Sequence, residues 1–98
     1  MYCMIARNQV KPGKADATAK ALEKTFIPIM KKTPGFREAQ VVIGPKGEYT
    51  AFLIWDAKAG ADVYANSPDR KKALAGLGDL VEGPMKLEFG EVRVSASA

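Results

Sequence analysis

The chain has no histidine, one cysteine and one tryptophan in 98 residues. Without histidine it lacks the commonest side-chain base near neutral pH, the commonest zinc ligand and the usual proximal haem ligand. A Ser-His-Asp or Cys-His arrangement is therefore excluded. The single cysteine, Cys3, excludes an internal disulfide and a cysteine-rich metal site. It lies in an apolar strand pattern and reads as a small buried hydrophobe rather than a reactive thiol. No metal and no cofactor are expected. No Gly-rich phosphate loop surrounds Gly13, Gly76 or Gly78, and no carboxylate pair supports glycosidase or aspartic-type chemistry. No apolar run approaches the ~20 residues that span a bilayer. The start, Met1 to Asn8, has no signal-peptide layout and already reads as a strand. A cytoplasmic protein that avoids membranes is expected.

What is present is ordinary globular material. Hydrophobic residues make up 47% and charged residues 27%, which rules out a disordered chain and fits one domain spanning residues 1–98. A chain this short buries only roughly 60–70% of its unfolded surface, so association with a second copy is a cheap way to add burial. The net charge of +4 raises the question of nucleic acid. The only basic clusters are Lys31-Lys32, in the last turn of an expected helix, and Arg70-Lys71-Lys72, which reads as a solvated helix face. No nucleic-acid partner is expected.

The hydrophobic pattern predicts a first strand from Tyr2 to Val10, then a turn at Lys11-Pro12-Gly13. Ala15, Ala19, Leu22, Phe26 and Met30 fall on one face of a helix from Lys14 to Lys32, with a kink expected at Pro28. Phe36 to Ile43 and Glu48 to Asp56 form a hairpin across Gly44-Pro45-Lys46-Gly47. Alternation in the third strand puts Tyr49, Ala51, Leu53 and Trp55 on one face, with Thr50, Phe52 and Ile54 on the other. A short helix from Lys58 to Ala65 follows, with Asp56 expected as its cap and Asp62 on its exposed side. Ser67 then caps a second segment with Pro68 at its first position. That segment is expected to run through Leu74, Leu77, Leu80 and Val81 and to end at Gly83-Pro84. A last strand from Met85 to Ser95 completes the set, with a bulge expected at Gly90.

The order β-α-β-β-α-β is that of the ferredoxin-like α+β fold, a four-stranded antiparallel sheet with its helices on one face. The opposite face then carries Ile5, Phe52 and Ile54 toward water, and an apolar patch of that kind implies a partner surface. Two copies packed sheet to sheet would cover it, so a homodimer is expected.

Several short stretches resemble the antibiotic biosynthesis monooxygenase family of dimeric α+β barrels. They are Lys11-Pro12-Gly13-Lys14 after strand one, Pro34-Gly35-Phe36 before strand two, Trp55 at the end of strand three, Asn66-Ser67-Pro68 and Gly83-Pro84. The resemblance implies a pocket between sheet and helices in each subunit. It also implies oxidation of quinol or polycyclic phenol substrates by molecular oxygen without metal or flavin. A sister group that degrades haem uses an Asn on strand one, a Trp ending strand three and a His on the second helix. Asn8 and Trp55 match the first two, but the helix position lies near Leu74, which cannot ligate iron. Many members also carry a His before the Ser-Pro joint, where this chain has Tyr64.

On this basis Asn8 and Trp55 are the candidate catalytic donors. Tyr49, Tyr64, Leu53, Phe26 and Leu74 are candidate contacts for a hydrophobic or aromatic small molecule. Each has an ordinary structural alternative: Asn8 bonded to local backbone, and Trp55 and the tyrosines packed in the core. A binding or structural module of the same fold, with no chemistry, is the alternative to an oxygenase.

Overall fold

A computed structural model describes residues 1–98. The elements are β1 (Tyr2–Val10), α1 (Ala15–Ala21), a wide π turn (Leu22–Phe26), α2 (Ile27–Lys31), β2 (Phe36–Ile43), β3 (Glu48–Trp55), α3 (Lys58–Ala65), α4 (Pro68–Ala75) and β4 (Val81–Glu91). The strands pair antiparallel in the order β2-β3-β1-β4. This is the ferredoxin-like arrangement.

From α1 to α2 the chain is one continuous helix with a local change of pitch. Pro28 has no amide hydrogen to give to Lys24, and its ring would collide with that carbonyl. The turn before it widens, and the Ile27 N–H reaches back to Leu22 rather than Glu23. The strain expected at Pro28 is thus absorbed one turn earlier, as a π turn.

The core lies between the helices and one face of the sheet. Met4, Ala6 and Val10 of β1 meet Tyr49, Ala51, Leu53 and Trp55 of β3, all buried. Leu22, Phe26, Met30, Ala61, Tyr64 and Leu77 cover them from the helical side. Gly60 is where α3 comes closest to the sheet. A Cβ there would lie 2.6 Å from the Pro34 carbonyl oxygen and 2.7 Å from Trp55 Cδ1, so only glycine fits without pushing the helix away.

Four expectations need correction. Residues 76–80 are turns, and Val81 already opens β4. Gly83 and Pro84 therefore do not end a helix. They lie within β4, which is an edge strand, where the missing proline donor disrupts no interior ladder. The bulge sits here too, not at Gly90, which pairs regularly with Cys3. Asp56 does not cap α3: Ala57 stands at that position without a side-chain bond, and Asp56 accepts from Arg37 Nη1 at 2.7 Å. Cys3 is on the sheet face away from the helices and only half-buried; burial pushes its thiol up, which keeps it protonated.

Candidate functional site

The bulge in β4 opens a cleft beside Asn8. Arg7 pairs with Lys86 and Gln9 with Glu82, so three residues, Gly83, Pro84 and Met85, stand opposite Asn8 alone. The detour needs Gly83 at φ 73°, a conformation open to glycine at little cost. Asn8 bridges the gap in the ladder. Its Nδ2 donates to the Gly83 carbonyl at 3.3 Å, and its Oδ1 accepts from the Gln9 N–H at 2.7 Å. Local backbone thus uses two of the bonding positions of the amide, as its structural role requires, and leaves the others free.

The cleft between this bulge and α4 has a volume of about 480 Å³ and is lined by Asn8, Arg70, Leu74, Leu77, Met85 and Leu87 among others. That size suits a small organic molecule. No carboxylate lines it. A groove of similar size lies elsewhere, between the first helical stretch (α1 to α2) and the inner face of β2, with Asp16 and Glu23 among alkyl side chains. It presents no amide or cation, whereas the cleft at Asn8 presents both.

Arg70 is the residue that sequence reasoning missed. It does not belong to a solvated face: it is 6% exposed. Its guanidinium lies 5.5 Å from the centre of the Tyr64 ring, a cation–π contact, and its Nη1 donates to the Ala65 carbonyl at 3.4 Å. No carboxylate pairs with it; the ion pairs of the chain are Arg7 with Glu88, Arg37 with Asp56 and Lys58 with Asp62. A buried cation without a counter-charge is costly. The signal within α4 was Leu74, which falls four residues after Arg70 and so on the same side of the helix.

Two buried tyrosines stand behind Arg70. Burial, then the neighbouring Tyr64, pushes the Tyr49 hydroxyl up to about 12, with Arg70 opposing. Burial also raises Tyr64, against Arg70. Neither is a base at neutral pH. Tyr49 binds its proton more tightly folded than unfolded, where its pKa is about 10. Its contribution to stability is therefore complete below pH 10 and lost as pH rises from there toward 12. The urea midpoint is expected to fall across that window in the native protein and to fall less steeply in Tyr49→Phe. Parallel profiles for the two would remove Tyr49 as the cause.

The register separates the two expected donors. Asn8 lies opposite Tyr49, whereas Trp55 lies opposite Tyr2, six residues further along β3, a distance of roughly 20 Å. They do not act on one reacting atom. Trp55 is wholly buried, and its Nε1 has no hydrogen-bond partner. Phe36 meets it edge-on at 5.7 Å between ring centres, and Tyr64 lies tilted at 5.3 Å. Trp55 therefore reaches Arg70 only through Tyr64. Leu53 is buried opposite Met4 and Ala39. Phe26 is in the core and borders a groove near Pro28, Asp69 and Lys72, not the cleft. Of the expected contacts, Leu74 alone joins Asn8 there.

The family model for antibiotic biosynthesis monooxygenase matches residues 1–76. The chain belongs to this family. Solved structures agree on the fold. A protein of unknown function from Nitrosomonas europaea superimposes with a TM-score of 0.80 at 18% identity, over 99% of this chain and 93% of that one. Rv0793 from Mycobacterium tuberculosis gives 0.76 at 22%, over 98% of each. SnoaB from Streptomyces nogalater, a cofactor-independent oxygenase, gives 0.78 at 14%, over 96% and 94%. No functionally curated sequence matches the chain.

The cleft at Asn8 lies between the β4 bulge and α4. No helix is long and apolar enough to cross a membrane. Before the Ser-Pro joint the chain has Tyr64, its ring held under the Arg70 cation.

Proposed function

We propose that the chain is a monooxygenase of quinols or related polycyclic phenols, using molecular oxygen without a bound cofactor and working as a homodimer. The observation that carries this reading is the cleft at Asn8, whose apolar walls meet one amide and one buried cation with no carboxylate present. Such a site holds an electron-rich aromatic anion and keeps water from its ring.

The chemistry asks little of the protein. A substrate carbanion or phenolate passes one electron to O2, and the resulting radical and superoxide combine in a new C–O bond. The peroxide takes up a proton, the O–O bond breaks, and loss of water leaves a carbonyl where the substrate had a CH2. One oxygen atom ends in product and one in water. Asn8 supplies a donor to the anionic oxygen, and Leu74 a wall of the cleft. Tyr49, Tyr64 and Trp55 hold Arg70 from behind, Trp55 as a positioning residue.

The test is oxygen uptake with a panel of quinols and anthrone-type phenols, above the rate of autoxidation. Asn8→Ala is expected to lower kcat at least about tenfold with the dimer intact. Trp55→Phe is expected to raise KM more than it lowers kcat. Uptake no faster than autoxidation over the panel would instead favour a dimeric module that binds such molecules without transforming them. The absence of a neutral-pH base, with Tyr49 at about 12, is the observation on that side.

A further inference from the structure

We infer that the cleft takes an aromatic ligand that is already ionised in neutral water, a carboxylate or an acidic phenol, with its anion on Arg70. This rests on the reading that the Asn8 cleft is the ligand site, and it narrows the class of ligand.

Three observations converge. Arg70 is more than nine-tenths buried, lines the cleft and has no carboxylate partner. Its one bond to backbone is a long 3.4 Å contact to a neutral carbonyl, and the Tyr64 hydroxyl that it also meets is neutral, so its charge is left unmatched. Lys71 also borders the cleft, which adds a second positive charge and no negative one. Around them, Leu74, Leu77, Met85 and Leu87 offer hydrocarbon and thioether to a ligand body. An apolar ring system with a single anionic head matches both halves of this surface.

The same residues cannot make an anion from a neutral ligand. Arg70 and Lys71 are cations, Asn8 does not titrate, and Tyr49 and Tyr64 hold their protons far above neutrality. No side chain lining the cleft is fitted to take that proton. What the cleft contributes is selection for charge.

Equilibrium binding tests this without reference to turnover. The probes are 1-naphthoate, its neutral isostere 1-naphthamide, and a nitro-substituted naphthol ionised at the working pH. The native protein is expected to bind naphthoate about ten- to a hundredfold more tightly than the amide. Arg70→Met should erase that preference, Arg70→Lys should keep part of it, and Lys72→Gln, which lies outside the cleft, should leave it within twofold. Binding of naphthoate but not the naphtholate, or the reverse, identifies which anion the site prefers. Equal affinity for naphthoate and its amide overturns the inference even if Arg70→Met does not fold. An equal loss in Lys72→Gln overturns it too, because net charge alone would then explain the preference. A charge preference without oxygen uptake would leave this inference standing and sink the oxygenase reading.

Discussion

Trp55→Ala is expected to lower folding stability by about 3–5 kcal/mol, and Trp55→Phe by less than about 2 kcal/mol. The first number follows from complete burial. Trp55 is 0% exposed and fills the space between Phe36, Tyr64 and Gly60. An alanine there leaves a cavity that α3 cannot close, because its contact point is already backbone. Single domains have only about 5–15 kcal/mol in total, so this is a large share. The second number is small because of the unpartnered Nε1. A buried donor without an acceptor costs about 1–3 kcal/mol. Phenylalanine removes that donor while losing part of the ring volume, and the two effects oppose. Urea midpoints at one fixed protomer concentration decide it. A Phe variant as unstable as the Ala variant would mean that Nε1 has an acceptor in the folded protein. A Phe variant of native stability but with its kcat abolished would show that Trp55 touches the reacting atoms, against its placement some 20 Å from Asn8.

Much of the fold was legible because period and punctuation agree along most of the chain. The bounds of β1, β2 and α3 and the Ser67 cap match the structure, and Ser67 Oγ does accept from the Arg70 N–H, at 3.4 Å. The pattern misled where one spacing serves two conformations. Leu77 and Val81 are buried, as a helix continued to Val81 would have them. Yet Gly76 and Gly78 make that helix weak, and the chain reaches the same core through turns. Gly83-Pro84 is a stop signal in a helix and a bulge signal at a sheet edge; only the sheet order separates the two meanings. The candidate site was less legible for a related reason. Asn8 and Trp55 share a face in the alternation pattern, but their separation depends on the pairing register, which a strand pattern alone does not give. Arg70 was hidden by its neighbours Lys71 and Lys72, since a charge run reads as solvated until the helix is docked.

Phe52→Asp is expected to turn the proposed dimer into a monomer of 10.5 kDa without unfolding it. The helix-free face of the sheet holds Cys3 and Ile5 on β1, Phe52 and Ile54 on β3, and Val42 on β2. Phe52 is 40% exposed and Val42 56%. Charged residues stand around this strip rather than in it: Glu38 on β2, and the Arg7 and Glu88 pair toward β4. An apolar centre with a polar rim is the composition of an interface. In an isologous contact every substitution occurs twice across the two-fold axis. Phe52→Asp therefore places two carboxylates in a patch whose neighbouring cation, Arg7, is already paired with Glu88, at a cost of several kcal/mol, or at least about a hundredfold in the dissociation constant. The folded subunit should tolerate the change, because the side chain points away from the core. Sedimentation equilibrium gives the mass and far-ultraviolet circular dichroism the fold. A native protein that is monomeric at high concentration would sink the proposed dimer. A Phe52→Asp variant that stays dimeric would move the interface to another face. If the variant is a folded monomer with unchanged naphthoate binding, each subunit carries a complete cleft, as the placement of Asn8 and Arg70 on the opposite side of the sheet requires.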